Sequence, residues 1–296
     1  MTGSSILSLS RLFWAPNSRF RRSDAMSKKP GFSGLFCACN SSRVKPFLSC
    51  LLSRGSVMPA PFKEWKVLPH GRLSPVDDDI LTVTGDIPMP VGNLKRRMTV
   101  VRLRDGRLVI FSAIALDDEQ MRAIEAFGQP AFLIVPNDHH RLDAKPWKDR
   151  YPTLQVIAPA GARNSVEKVV HVDAARGDFG DPDVKLVTVP GTRDREAALQ
   201  IDGPNGTTLV LNDIVGNIRG ASGFAGWALR MMGFAGDEPR IPWPVKLTMV
   251  GDKAALAAQL RRWADLPALK RILVSHGSVI TDDPQGALRK LARSLG

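Results

Sequence analysis

The sequence Leu133-Ile-Val-Pro-Asn-Asp-His-His-Arg-Leu-Asp143 contains an apolar run that stops at a group of imidazole and carboxylate side chains. Leu133 to Val135 have branched side chains suited to a buried strand. Pro136 and Asn137 favour the end of that strand, because proline lacks a backbone donor and asparagine tolerates turn geometry. In layered α/β proteins the loops at a sheet edge hold much of the chemistry. We therefore expect three polar side chains at the rim of a sheet: His139, His140 and Asp143.

Composition limits the classes of protein to which the chain can belong. Its 296 residues are 44% hydrophobic, which is enough for one large core or two modest ones. The net charge is +12, but residues 1–57 contain nine Lys/Arg and one acid, which leaves 32 basic and 28 acidic residues in the rest. This near balance argues against a specific nucleic-acid partner. We expect a small-molecule substrate instead.

Residues 1–57 differ in composition from the rest of the chain and are rich in serine and arginine. They resemble a targeting peptide, a basic disordered tail, or upstream sequence preceding a true start at Met58, and we favour the last interpretation. All three cysteines, Cys37, Cys39 and Cys50, lie in this segment. A body without cysteine fits a reducing compartment, so we expect a cytoplasmic protein with no transmembrane segment. The predicted organisation is an N-terminal extension, 1–57, and a single domain, 58–296.

The body alternates strand and helix patterns. Asp105-Gly106 and Asn205-Gly206 each separate two apolar runs and favour tight hairpin turns. A helix is predicted from Asp117 to Phe127, with Asp117 as its N-cap, and further helices over 145–150, 253–264 and 284–295. A short strand is predicted for Val169–Val172. This order indicates an α/β layer architecture.

Residues 214–247 interrupt the alternation with six glycines around the apolar segment Trp227–Met232. We interpret this region as a lid or an excursion from the sheet. Its glycine spacing lacks the Gly-Lys-Ser/Thr ending of a phosphate loop, which argues against a nucleotide site. An exposed apolar segment here, together with the basic N-terminus, also permits peripheral membrane attachment.

Two further strands end in polar residues. Asp213 follows the apolar run of the second hairpin, and His276 follows the run Arg271–Val274 and precedes Gly277. Imidazole nitrogens and carboxylate oxygens from distant segments must converge to bind a divalent cation. We therefore predict a metal site formed by these residues and the His139/His140/Asp143 group, with the cation zinc, iron or manganese.

These motifs resemble the metallo-β-lactamase superfamily, and within it a divergent bacterial and plant branch described only as a domain of unknown function. The resemblance covers most of residues 63–295. It rests on three groups of residues: Asn137-Asp-His-His140 with Trp147 and Tyr151-Pro152; Glu196 with Thr208–Leu211, Asp213 and Asn217; and Ser275-His276-Gly277. It implies a four-layer αββα sandwich, of the α/β or α+β class.

The resemblance also implies which residues bind metal. Active members of the superfamily have a His-x-His-x-Asp-His motif, and here Arg141 and Ala144 replace two of its imidazoles, while Thr192 replaces a third ligand. What remains implies one metal on Asp143, Asp213 and His276, with help from His139 or His140. Glu196 is a further candidate ligand, an outer partner of an imidazole, or a plain surface acid.

Two functions follow as hypotheses. The first is a single-metal hydrolase for an ester, thioester or phosphoester, in which Asp213 or Asp143 orients the attacking water. The second is a metal-free scaffold or ligand-binding protein, in which the Arg141 guanidinium pairs with one of these two carboxylates and replaces the metal charge.

Overall fold

The structure is a computed structural model that describes residues 59–88, 93–220 and 223–296. Met58 and the three cysteines lie outside these residues, so the expectations for residues 1–57 stay predictions. Within the described residues no helix is long and apolar enough to cross a membrane.

The described residues form strands and helices in alternation. The strands are β1 (Ser74–Asp77), β2 (Ile80–Pro88), β3 (Asn93–Arg102), β4 (Arg107–Phe111), β5 (Gln129–Ile134), β6 (Gln155–Ile157), β7 (Val184–Thr188), β8 (Ala197–Gly203), β9 (Gly206–Asn217) and β10 (Leu269–Gly277). The helices are α1 (Asp118–Phe127), α2 (Ala144–Arg150), α3 (Ala160–Val166), α4 (Gly223–Met231), α5 (Trp243–Thr248), α6 (Lys253–Ala264) and α7 (Pro284–Arg293).

The strands form two mixed sheets. The first has the order β1-β2-β3-β4-β5-β6, antiparallel from β1 to β4 and parallel from β4 to β6. The second has the order β10-β9-β8-β7, in which only β10 and β9 are parallel.

Alternating side chains divide the core into three layers of contact. On β4, Ile110 packs with α1, α2 and α3, whereas Phe111 packs between the sheets. On β9, Val210 packs between the sheets, whereas Leu211 packs with α5, α6 and α7. Strand side chains point to opposite faces in turn, so each sheet has a helix-covered face and a face buried against the other sheet. The predicted four-layer αββα sandwich is confirmed.

The parallel pair β9–β10 has a break in register. Val274 pairs with Leu211, but His276 pairs with Gly216, so residues 212–215 of β9 stand opposite Ser275 alone. Such a bulge changes the direction in which side chains on the bulged strand point. Asp213 lies within this bulge, rather than after the strand as the sequence suggested.

Most predicted elements are present, and one predicted strand is absent. The hairpins and the helix with N-cap Asp117 are confirmed, since the Asp117 side chain accepts from the N–H of Gln120. Val169–Val172 is not a strand, because the chain turns there to bury its valines behind α3. Residues 214–247, interpreted as a lid or an excursion from the sheet, contain the end of β9 and the helices α4 and α5.

Candidate metal centre

Three buried side chains meet at one edge of the sandwich: His140, Asp213 and His276, called here the His–Asp–His cluster. Nε2 of His140 lies 3.1 Å and Nε2 of His276 lies 3.2 Å from the same Oδ1 atom of Asp213. One ligand atom from each residue lies within 4.8 Å of the others. Ligands bound to zinc at about 2.0 to 2.2 Å in a tetrahedron lie about 3.3 to 3.6 Å apart. The donor types and their spacing therefore fit a divalent cation.

Each member of the cluster comes from a different segment. His140 lies in the loop between β5 and α2, Asp213 in the bulge of β9, and His276 near the end of β10. Gly277 has φ +110°, and a Cβ atom there would lie 2.1 Å from the carbonyl oxygen of Asn217. Only glycine allows β10 to approach β9 this closely, and this approach brings His276 to Asp213.

The outer nitrogen of each imidazole is held by another residue. Ser112 Oγ lies 2.7 Å from Nδ1 of His140. Ser112 has φ +58°, a conformation that non-glycine residues seldom adopt and that clusters at functional sites. On the other side, Nδ1 of His276 lies 2.7 Å from the carbonyl oxygen of Lys95 on β3. Such outer partners fix the ring orientation of metal-binding histidines.

Asn137 links two buried carboxyl groups. Its Nδ2 donates to Oδ2 of Asp213 at 2.7 Å and to Oε2 of Glu196 at 2.9 Å. Its Oδ1 accepts from the backbone N–H groups of His139 and His140 at 2.8 and 3.1 Å. One amide therefore fixes both the loop that contains His140 and the carboxylate that the two imidazoles share.

Burial and neighbouring charges shift the pKa values of Glu196, Asp213 and His140. Burial and the negative charge of Asp213 raise the pKa of Glu196 well above its usual value. Burial alone would raise the pKa of Asp213, but His140 and His276 lower it well below the usual value. Burial lowers the pKa of His140, and Asp213 opposes that shift. Burial and charge therefore favour a proton on Glu196 and oppose one on Asp213, whose Oδ1 faces the two imidazoles.

Comparison with known proteins adds the fold family. No protein-family model and no curated protein matches the sequence. Solved structures do match. The mono-zinc form of the metallo-β-lactamase FIM-1 from Pseudomonas aeruginosa is 12% identical, with a TM-score of 0.51 over 79% of this chain and 98% of that one. The chain has the metallo-β-lactamase fold.

Two further structures agree. A metallo-β-lactamase from Erythrobacter litoralis, with β-mercaptoethanol in its active site, is 14% identical, with a TM-score of 0.51 over 77% of this chain and 100% of that one. The structure of VMB-1 is 12% identical, with a TM-score of 0.53 over 79% of this chain and 98% of that one. The predicted fold is confirmed, and membership of the superfamily and of its bacterial and plant branch stays a prediction.

Within this metallo-β-lactamase fold, the structure brings together three of the six residues proposed as metal ligands. Asp143 is outside the cluster, because its fully buried side chain forms an ion pair with Arg96 of β3, itself 3% exposed. Burial raises the pKa of Asp143, and the guanidinium of Arg96 opposes that shift. Glu196 contacts neither imidazole: it accepts from Nδ2 of Asn137 at 2.9 Å and from the backbone N–H of Ile214, beside Asp213, at 3.2 Å. Its side chain is fully buried, so it is not a surface acid, and a role as the outer partner of an imidazole stays a prediction.

His139 and Arg141 also point away from the cluster. The side chain of His139 is 49% exposed, and its Nε2 lies 3.8 Å from Asp138. The Arg141 guanidinium donates to the carbonyl oxygen of Ser165, so it does not pair with Asp143 or Asp213 as one hypothesis required. Arg96, from a distant strand, is the cation that pairs with Asp143. Thr192 is buried and donates to the carbonyl oxygen of Val189.

Several residues that shape this site were missed by the sequence analysis: Ser112, Lys95, Arg96 and Arg97. Ser112 follows β4, and a serine after an apolar strand is too common to mark a site. Lys95 contributes a backbone carbonyl, which any residue type could supply. The one available signal was the pair Arg96-Arg97 directly before the strand-forming run Met98-Thr-Val-Val101, because arginines in a buried strand require partners.

Proposed function

We propose that the chain is a metal-dependent hydrolase that binds a single divalent cation through His140, Asp213 and His276. Two imidazoles and one carboxylate suit zinc, iron or manganese, and three protein ligands leave a coordination position open for water or substrate. Asp143 is not needed in this set. The fold supports the proposal, because a solved structure that shares it, FIM-1, is a mono-zinc form.

The orientation of His276 is the observation on which the proposal rests. Its Nδ1 can bond the Lys95 carbonyl only as an N–H donor, so in the neutral ring Nε2 has a lone pair. That lone pair faces Oδ1 of Asp213 at 3.2 Å. Two facing acceptors repel each other, so either a proton or a metal cation lies between them. The same oxygen also lies 3.1 Å from His140, which makes it the centre of the ligand set.

His140 can meet the same requirement. The Ser112 hydroxyl can accept or donate, so Nδ1 of His140 can hold a hydrogen and leave the lone pair of Nε2 facing the cluster. Burial lowers the pKa of this imidazole and so favours the neutral ring that metal ligation needs.

The chemistry fits the hydrolysis of an ester, thioester or phosphoester. A bound divalent cation polarises a carbonyl or phosphoryl oxygen and lowers the pKa of a bound water. The residues of the chain supply the setting for this chemistry. Asn137 holds the orientation of the Asp213 carboxylate, Ser112 and Lys95 hold the two rings, and Phe234 packs edge-on to His276 with ring centroids 6.4 Å apart. Phe234 therefore forms an apolar wall beside the cluster.

The ion pair Arg96–Asp143 favours a second candidate, a metal-free scaffold or ligand-binding protein. It neutralises one carboxylate near the site without a metal. If His276 held two hydrogens, its charge would neutralise Asp213 in the same way. Both hypotheses therefore explain the packing. They differ in whether a metal cation or a proton lies between His276 and Asp213.

A reconstitution assay separates the two. The full chain is stripped with a chelator, reloaded with zinc, iron(II) or manganese, and assayed on chromogenic ester, thioester and phosphodiester substrates. We expect metal-dependent turnover that falls at least about 100-fold in Asp213→Asn. The exposed acid Asp149 provides the matched control, since Asp149→Asn should retain full activity. Turnover that is equal with and without metal, or absent in metal-loaded protein across all three substrate classes, would contradict the hydrolase.

A further inference from the structure

Strand β3 contributes three consecutive residues, Lys95, Arg96 and Arg97, to the surroundings of the His–Asp–His cluster. We propose that the two arginines are positioning residues, with Arg96 setting His140 and Arg97 setting His276. Their side chains point to opposite faces of the strand, because strand side chains alternate. Arg96 therefore reaches the helix-covered face, and Arg97 reaches the face against the second sheet.

Arg96 connects the two segments that meet at His140. Its guanidinium forms an ion pair with Asp143, which lies three residues after His140 in the same loop. It also donates to the carbonyl oxygen of Ala113 at 3.2 Å, and Ala113 follows Ser112, whose hydroxyl bonds Nδ1 of His140. One planar cation thus fixes both the loop that contains the ring and the segment that orients it.

Arg97 has the same relation to His276. Its Nε donates to the carbonyl oxygen of Val274 at 3.1 Å, and one terminal nitrogen donates to the carbonyl oxygen of Gly277 at 3.0 Å. These two carbonyls lie on either side of His276 in β10. The adjacent residue, Lys95, accepts from Nδ1 of His276 through its own carbonyl. The backbone around this histidine and its ring are therefore both tied to β3.

The cost of this arrangement favours a role beyond stability. Arg96 and Arg97 are both buried, and the hydrogen bonds of Arg97 go to uncharged oxygens, including Oγ1 of Thr82 at 3.2 Å. Apolar side chains of similar volume serve a core at least as well as buried charges do. Arg96 and Arg97 each hold the segments around one histidine. Fixing the positions of His140 and His276 explains two adjacent buried cations better than core stability does.

The test uses metal-free protein first, so that it does not depend on the proposed function. The imidazole nitrogens of His140 and His276 are observed by NMR in the full chain, in Arg96→Lys and in Arg97→Lys, with His140→Gln and His276→Gln for assignment. Lysine keeps the charge but cannot span two acceptors as the guanidinium does. Arg102→Lys is the matched control, because Arg102 lies on the same strand and pairs with the surface acid Asp79.

We expect a crossed pattern. Arg96→Lys should shift or broaden the His140 signals and leave those of His276 unchanged, whereas Arg97→Lys should do the reverse, and Arg102→Lys should change neither. In metal-binding assays each of the first two variants should raise Kd roughly 10- to 100-fold, as loss of outer partners does.

Two outcomes would overturn the inference. In the first, the lysine variants fold and leave the NMR signals of both histidines unchanged. In the other, each variant disturbs both rings equally, as a general loss of packing would. Should a lysine variant fail to fold, Arg96→Met with Asp143→Leu, or Arg97→Gln, replaces it under the same criteria. A crossed NMR pattern in protein that takes up no metal would support the positioning role and reject the hydrolase.

Discussion

Nδ2 of Asn137 lies 2.7 Å from Oδ2 of Asp213, and Asp213 directs its other oxygen at both imidazoles of the cluster. The amide therefore sets the direction of the shared oxygen from behind. Because the same side chain accepts from the backbone N–H of His140, the carboxylate and one of its partners are placed by one residue. Asn137 is thus the residue through which the loop after β5 and the bulge of β9 are held in fixed relation.

Replacing Asn137 should damage both the fold and the metal site. Asn137→Ala removes one hydrogen-bond donor from each of two buried carboxyl groups and the acceptor of two backbone N–H groups. We expect a loss of about 2 to 4 kcal/mol in the free energy of unfolding. We also expect metal affinity to fall roughly 10- to 100-fold. Chemical denaturation and chelator competition measure the two effects. Asn164→Ala, at an exposed position of helix α3, is the control and should change neither strongly. Unchanged metal affinity in Asn137→Ala would show that the amide does not orient Asp213.

Ser112 allows conformation and chemistry to be separated. Glycine relieves the positive φ of 58° and alanine does not, while both remove the hydroxyl from His140. Ser112→Gly should therefore be about 1 to 2 kcal/mol more stable than Ser112→Ala. Both should bind metal roughly tenfold more weakly than the wild type. Thermal denaturation and metal titration test this pair. Wild-type metal affinity in either variant would show that the Ser112 hydroxyl does not orient His140 for metal binding.

The raised pKa of Glu196 predicts a pH-dependent stability of the metal-free protein. Above the ordinary Glu pKa of about 4.3, the unfolded chain loses this proton while the folded chain retains it, so rising pH favours unfolding until the folded pKa is passed. Relative to Glu196→Gln, the wild type should lose stability as pH rises, by at most about 1.4 kcal/mol per pH unit. Denaturation of both proteins in chelator measures this difference. A difference independent of pH would mean that Glu196 is ionised in the fold.

Gly277 should tolerate no side chain. Its φ of +110° and the 2.1 Å approach to the Asn217 carbonyl both exclude a Cβ atom. We expect Gly277→Ala to lose about 3 kcal/mol or more, or to fail to fold. Gly203→Ala has nothing within 3.8 Å of the new atom and should change stability by only about 0.5 kcal/mol. A stable Gly277→Ala variant would contradict the close pairing of β9 and β10 that places His276.

Local patterns predicted much of the fold. Asp105-Gly106 and Asn205-Gly206 predicted the hairpins, although only the glycine of each pair has a positive φ. The periodicity of Lys253 to Ala264 gave the bounds of α6. The strand at Val169–Val172 was wrong because a run of branched residues shows burial but not strand pairing. The helix α3 was missed because Gly161 and Asn164 are weak helix formers that only tertiary packing stabilises.

The candidate site was harder to predict than the fold. Asp213 and His276 could be identified, because each follows an apolar run. The choice between His140 and Asp143 could not be made from the sequence, because it depends on Arg96, 47 residues before Asp143. The bulge that directs Asp213 inward is likewise a property of the β9–β10 pair. Pairings between distant segments decide which polar side chains turn toward each other, and spacing along the chain does not contain them.

Metal content shows whether His140, Asp213 and His276 bind a cation. The full chain is purified without chelator, offered zinc, iron(II) or manganese, and analysed for bound metal beside His140→Ala, Asp213→Ala, His276→Ala and the control His139→Ala. We expect about one equivalent in the wild type and in His139→Ala, and little in the other three variants. Folded wild-type protein that takes up no metal, or loss of metal in His139→Ala equal to that in His140→Ala, would contradict the proposed metal site.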